Sequence, residues 1–179
     1  EYLSQKRVAF PRFYFVSVPH LLEILSRSGR DPRLIVDHIP RIIGEMQTLH
    51  SPDTDGTDAI GAAARGGETF VFEQPAACAG RVEILLLQID DAVAATIKML
   101  IEQAVHSYND KPRELWLQDY LSQVVLVASQ IHWAADVTGC FHAIEEGNES
   151  ALKEQQRRCN EQIAVLIQLV GTELSAPLR

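Results

Sequence analysis

The hydrophobic positions run in blocks whose period changes along the chain. Near the start, Phe13 and Phe15 alternate with Arg12, Tyr14 and Val16 at the two-residue period of a strand, and Pro11 bars a helix from running through from Gln5. Ser17 is a good N-cap for the run Leu21, Leu22, Ile24 and Leu25, so the pattern predicts a short strand passing into a helix. Gly29 supplies a stop, and Asp31 followed by Pro32 supplies the next start. The second helix keeps Ile35, Ile39, Ile42 and Met46 on one face, with Pro40 placed to kink it or split it after His38. These two helices form an expected αα-hairpin.

The run from His50 to Asp58 reads as loop, and two short extended runs around Gly66 and Gly67 read as a β-hairpin. Phe70 and Phe72 share one face of it, and Pro75 ends it. An isolated two-stranded hairpin is marginal, so the Phe13 to Phe15 strand is its expected third partner. From Arg81 to Tyr108 comes the longest helical period, through Val82, Leu85, Leu86, Ile89, Val93, Ile97, Leu100 and Ala104. Asn109, Lys111 and Pro112 make a turn; Leu115 and Trp116 then open a helix that breaks near Tyr120 and continues through Ile131 and Trp133 to Ile144. Gly147 closes that helix. Asn148 caps a last one carrying Leu152, Cys159, Ile163, Leu166, Val170 and Leu174, which Pro177 terminates.

Composition adds bounds to this pattern. With 179 residues, 46% of them hydrophobic, the chain can bury a sizeable core as one domain or two packed helical subdomains. Its 16 basic and 24 acidic residues leave a net charge of −8, which argues against nucleic acid or an anionic membrane as a direct partner. Cys78, Cys140 and Cys159 are odd in number and widely spaced, so they suggest core positions in a reducing, intracellular setting rather than a disulfide framework. No signal pattern opens the chain, and no uninterrupted apolar run approaches the roughly 20 residues of a membrane span. Glu1 begins in what reads as mid-helix, so a segment of a longer chain is expected.

Chemistry is sparse. Gly66 and Gly67 have no lysine and hydroxyl beside them to make a phosphate loop. Asp53, Asp55 and Asp58 around Gly56 invite a calcium reading, but the twelfth position from Asp53 is Ala64, where a glutamate is needed. His20, His38, His50, His106, His132 and His142 have no ligand spacing and pair with no nucleophile. Asn148, Glu149 and Ser150 match the glycosylation sequon, but in an intracellular setting the helix N-cap is the better reading. Lys153, Arg157 and Arg158 read as a solvated helix face. Trp116, Tyr120, Trp133 and Phe141 fit core positions better than an exposed binding stripe. The residues alone therefore predict a mainly α, elongated helical bundle with a small antiparallel β-sheet or hairpin and no catalytic, cofactor-binding or metal site. Phe13, Phe15, Phe70, Phe72, Trp116 and Trp133 are its expected core.

The stretch KRVAFPRFYFVS followed by LLEILS resembles the linker region of dynein heavy chains, and GGETFVFEQP, GRVEILL, KPRELWLQDYLSQVVLVASQIHW, EEGNESALK and LVGTELS extend the likeness in order along the chain. The wording of KPRELWL and EEGNESALK is most similar to axonemal outer-arm heavy chains of the beta type. The sequence departs from that pattern at Leu86, Leu121 and Pro40.

The resemblance implies a mechanical linker, or lever, that carries ATP-driven changes of an AAA-type motor ring in the same heavy chain into a power stroke for ciliary or flagellar movement. Expected segments are 1–49, a strand plus helical hairpin; 58–74, a β-hairpin; and 81–176, a long-helix bundle. The resemblance also implies ATP and magnesium in the parent ring only, and an ATP-hydrolysing, minus-end-directed microtubule motor as the parent, with no turnover by this fragment. Other dynein heavy, intermediate and light chains are expected partners, microtubules only through the parent, and the place of work is the cytoskeleton of the ciliary or flagellar axoneme. A lever needs a localised bend, and Asn109, Pro112, Tyr120, Leu121 and Ser122 are the candidate hinge. A helical scaffold module whose aromatic face recruits partner chains is the alternative from a different class.

Overall fold

The computed structural model describes residues 1–28, 32–51, 58–77 and 80–170. Gly29, Asp31, Asp53, Asp55, Cys78, Leu174 and Pro177, on which several of the sequence expectations fall, lie outside the described residues. The chain divides into two compact units, Glu1–Thr96 and Ile97–Arg179, with the boundary inside one helix.

In unit 1, helix α1 (Tyr2–Ala9) leads into a 3-10 helix over Pro11–Phe15 and then α2 (Val18–Ser28). The 3-10 helix corrects the expected strand at Phe13 to Phe15. Pro11 sets the φ of a first helical turn, the Phe13 amide donates to the Phe10 carbonyl and the Val16 amide to the Phe13 carbonyl. The buried positions therefore recur every three residues: Phe10, Phe13 and Val16 are 1%, 0% and 5% exposed, whereas Phe15 is 90% exposed. Phe15 is thus a surface residue, contrary to its expected place in the core. Phe10 and Phe13 meet edge to face at 5.1 Å.

A second 3-10 helix (Pro32–His38) passes into the one-turn α3 (Ile39–Ile42), with Pro40 among its first two positions. The helix splits after His38 because proline is tolerated at a helix start and not in its interior. Ile35, Ile39 and Ile42 are buried, and Met46, read as the end of the same helical face, is buried as the first residue of a strand.

That strand, β1 (Met46–His50), pairs antiparallel with β2 (Asp58–Ala64), which pairs antiparallel with β3 (Thr69–Ala77). The sheet order is β1-β2-β3, so β1, and not Phe13 to Phe15, is the third strand. His50 ends β1 rather than opening a loop. Pro75, expected to end the strand pair, sits inside β3; β3 is an edge strand, where a residue without an amide hydrogen costs no ladder bond. Gly67 has φ +87° in the turn between β2 and β3. Gly61 is required for a different reason: a Cβ there would lie 2.5 Å from the Phe70 carbonyl oxygen. Phe72 is buried, Phe70 is partly buried, and their rings meet at 5.8 Å.

Helix α4 (Val82–His106) contributes Val82, Leu85, Leu86 and Ile89 to the core of unit 1, against Leu21, Ile24, Ile35, Ile39 and Phe72. One ion pair is sealed into this unit: Lys6 Nζ lies 2.6 Å from Glu83 Oε1, with the two side chains 14% and 5% exposed. Burial pushes the Glu83 carboxyl up, but the Lys6 hydrogen bond, its own backbone amide and the charges of Lys6 and Arg81 outweigh that and hold it below the ordinary carboxyl value.

Candidate functional site at the connection between α4 and α6

Unit 2 holds the end of α4, the one-turn α5 (Arg113–Trp116), α6 (Ser122–Glu145) and α7 (Ala151–Val170). Two interruptions separate α4 from α6. Residues 107–112 form the first: the Asp110 amide donates to the Ser107 carbonyl, and Pro112, whose ring precludes a continuing helix, is the N-cap of α5. The second runs from Leu117 to Leu121, with Leu121 extended at φ −60° and ψ 145° as the N-cap of α6. Asn109 and Pro112 therefore lie in the first interruption, Tyr120 and Leu121 in the second, and Ser122 opens α6.

The short α5 is anchored by its own aromatic. Trp116 is fully buried with Ala104, Val124 and Ala128, and Tyr108, Leu117, Tyr120, Leu121 and Val125 pack around it. Its ring meets Tyr108 edge to face at 5.0 Å and Tyr120 at 5.7 Å. The indole Nε1 donates to Ser107 Oγ at 3.3 Å, and Ser107 Oγ lies 2.7 Å from the Tyr120 hydroxyl. One serine hydroxyl thereby joins the first interruption to the second.

A cation and an imidazole complete the cluster. The Arg113 guanidinium stacks 4.8 Å from the Tyr108 ring and 4.9 Å from the Trp116 ring, and its Nη2 donates to Ser129 Oγ of α6 at 2.7 Å. His132 stacks on the other partner of that set, Tyr108, at 3.9 Å and 14°. Its Nε2 lies 2.8 Å from the Val105 carbonyl oxygen, which can only accept, so Nε2 carries the proton. His132 is accordingly a structural donor that ties α6 to the last turn of α4. Outside the cluster, an ion pair between Lys111 and Asp119 spans α5; the Asp119 hydrogen bond raises the Lys111 pKa, desolvation opposes it, and the charges of Asp119, Tyr120 and Asp110 add to the rise.

Trp116 and Trp133 part company here. Trp116 is the centre of the cluster, whereas Trp133 is 57% exposed, a correction to its expected core role. The helical spacing that suggested core for both does not distinguish faces on α6, which is apolar nearly all round yet buries only Val124, Ala128 and Cys140. By length and mean hydropathy α6 is long and apolar enough to cross a membrane. Its polar residues His132 and Asp136 are nevertheless bonded to protein groups, the latter accepting from Gln155 Nε2 of α7 at 3.3 Å. At the other end of α6, Gly147 at φ +103° reverses the chain, and Asn148 Oδ1 accepts from the Ser150 amide at 3.1 Å to start α7.

Sequence reasoning passed over Arg113, Ser107, Tyr108 and Ser129 as members of this site. The available signal was compositional: an arginine three residues before a tryptophan, with tyrosines flanking both, is the residue set of a stacked guanidinium. No group of three or more His, Cys, Asp and Glu able to hold a metal occurs among the described residues. The arrangement is a structural junction: stacked rings, shared hydroxyls and one half-buried cation spanning two breaks in a run of helices.

These features define a helical module with a built connection. The chain belongs to the dynein heavy chain family, since the family model "Dynein heavy chain, N-terminal region 2" matches residues 1–104. It is 39% identical over 179 residues to the ciliary dynein beta chain of Tripneustes gratilla and 39% identical over 177 residues to dynein axonemal heavy chain 11 of Sus scrofa. It is 34% identical over 177 residues to the flagellar outer arm dynein beta chain of Chlamydomonas reinhardtii. These matches cover 97% to 98% of the chain and 4% of each relative, so the chain spans a small part of the length of the proteins it resembles. The relatives are ciliary and flagellar axonemal heavy chains, in keeping with the beta-type wording of the sequence.

Proposed function

We propose that this segment is part of the mechanical linker of an axonemal dynein heavy chain, a lever that carries ATP-driven changes of the motor ring into the power stroke of a cilium or flagellum. ATP, magnesium, microtubule contact and the dynein partner chains belong, on this reading, to the parent motor. The observation that carries the proposal is the alternation of a stiff element with a built interruption. α4 is a continuous helix of 25 residues, about 37 Å long, and it is followed by two breaks joined through Trp116, Arg113, Ser107 and Tyr120. A lever needs rigid arms and a bend confined to few residues; Asn109, Pro112, Tyr120 and Leu121 occupy those breaks, and Ser122 is the first residue of the helix that follows.

Packed stacks repack between discrete arrangements rather than deforming continuously. Trp116→Ala in the parent motor should therefore slow microtubule gliding severalfold while leaving basal ATP turnover near its original level. Gliding at unchanged speed from a correctly folded variant would count against the lever.

The scaffold reading draws on a separate observation, the exposure of Leu126, Ile131, Trp133 and Phe141 on α6. Exposed apolar side chains of this kind suit a protein contact. The sequence downstream discriminates the two: a phosphate-binding loop within a few hundred residues supports the motor, and its absence supports the scaffold.

A further inference from the structure

Independently of the lever, we propose that a groove in unit 1 between the second half of β3 and the outer face of α4 receives an arginine side chain from a partner polypeptide. The groove encloses about 390 Å³ and is lined by Glu73 to Ala77 on one wall and by Gln88, Asp91, Ala92 and Ala95 on the other. Positions 88, 91, 92 and 95 follow the i, i+3, i+4, i+7 spacing of one helical face, so the α4 wall is a single continuous surface.

The shape of the opposite wall comes from a bulge. The pairing of β2 with β3 jumps from Gly61↔Val71 to Ala59↔Ala76, which leaves Phe72 to Pro75 opposite Ile60 alone. The Glu73 amide, turned out of the ladder, donates to Thr96 Oγ1 of α4 at 2.9 Å and pins the bulge in place. Thr96 is fully buried, and its hydroxyl donates in turn to the Ala92 carbonyl at 2.7 Å, so the pin is fixed on both sides. Bulge and proline together break the regular edge that an added β-strand requires. The groove is therefore suited to a side chain and not to a strand.

Its chemistry selects the side chain. The walls carry two carboxylates, Glu73 and Asp91, and no cation, and neither carboxylate has an ion-pair partner within 4.0 Å among the described residues. The neighbouring Asp90, by contrast, is paired with Arg12 at 3.1 Å. Ala76, Ala77, Ala92 and Ala95 give an apolar lining without bulk, matched to an aliphatic stem. Gln74 and Gln88 add amide oxygens. A guanidinium offers five donors in a planar fork, enough for carboxylates on facing walls and an amide between them; an ammonium offers three donors from one point.

The test uses the full 179-residue chain and the capped peptide acetyl-Ala-Ala-Arg-Ala-Ala-amide, followed through the NMR side-chain amide signals of Gln74 and Gln88. The expected result is a saturable shift in the millimolar range. Binding should fall at least tenfold with the peptide in which citrulline, the uncharged isostere, replaces arginine, and at least tenfold in Asp91→Asn. Ala95→Leu, which fills the groove from an exposed position, should abolish binding with the thermal midpoint unchanged. Equal binding of the citrulline peptide, no saturable shift, or the same shifts from guanidinium chloride at equal concentration would each overturn the proposal.

Discussion

Unit 1 closes its core with side chains from its helices, its 3-10 turns and its sheet, and nearly all of them are aliphatic or phenyl groups: Phe10, Phe13, Leu21, Ile24, Ile35, Ile39, Phe72, Leu85, Leu86 and Ile89. Unit 2 centres on Trp116 with Ala104, Val124 and Ala128 and packs aliphatic side chains such as Ile97, Leu100, Ile101 and Leu121 against them, but adds a guanidinium, an imidazole, two tyrosines and a serine in directed contact with one another or with the indole. A core of the first kind is specified by shape and volume, and many small contacts must be lost before it yields. The second adds to its apolar contacts a few geometric bonds, each made or broken as a whole. On the proposed lever, the polar junction is thus the better place for a bend, and the apolar unit the better rigid arm.

The contrast is broken most forcefully at the two buried aromatics. Phe13→Ala should cost about 3–5 kcal/mol by opening a cavity in unit 1, and Trp116→Ala a similar amount in unit 2, both read from denaturant unfolding. The two differ in their rescue. Trp116→Phe restores part of the ring area and none of the bond to Ser107, so it should remain at least about 1 kcal/mol short of the original chain. Equal stability of Trp116→Phe and the original would make the junction an ordinary apolar core.

A smaller effect separates the units by pH. Lys6→Met leaves the buried Glu83 carboxylate with the exposed Arg81, 3.5 Å away, as its remaining cation and should cost about 1–3 kcal/mol at neutral pH. Because the folded Glu83 carboxyl lies below its ordinary value of 4.5, its contribution is present above that value and is lost as pH falls through the folded one. Glu83→Gln should therefore flatten the acid limb of the stability profile below 4.5. An unchanged acid limb would remove this pair from the account.

Gly61→Ala forces a Cβ against the Phe70 carbonyl and should destabilise the sheet by about 1–3 kcal/mol, seen as a lowered midpoint. The least effect is expected at Phe15, whose exposed ring should be replaceable by alanine within about 0.5 kcal/mol. A large loss there would return Phe15 to the core.

Much of the helical framework was legible because proline, glycine and long apolar periods act locally. Pro40 divides its helix where its ring demands, and the period from Val82 onward yields one uninterrupted helix. The opening aromatics misled for a physical reason: Phe13 and Phe15 fit a period of two, but Phe10, Phe13 and Val16 fit a period of three, and burial follows the latter. β1 was hidden because Met46 continues the helical spacing of Ile39 and Ile42 while a turn intervenes. The junction was partly visible in the breaks at Pro112 and Tyr120. Its members were not, because Arg113, Ser129 and His132 come together only when α5 and α6 pack, and no local period announces a cation set against two rings.

The lever itself is tested most directly by structures of the parent heavy chain in two nucleotide states. The account predicts that residues 1–96 superpose as one body and α6 with α7 as another, with the change in direction confined to residues 107–122. Superposition of the whole segment as a single rigid body in both states would contradict it.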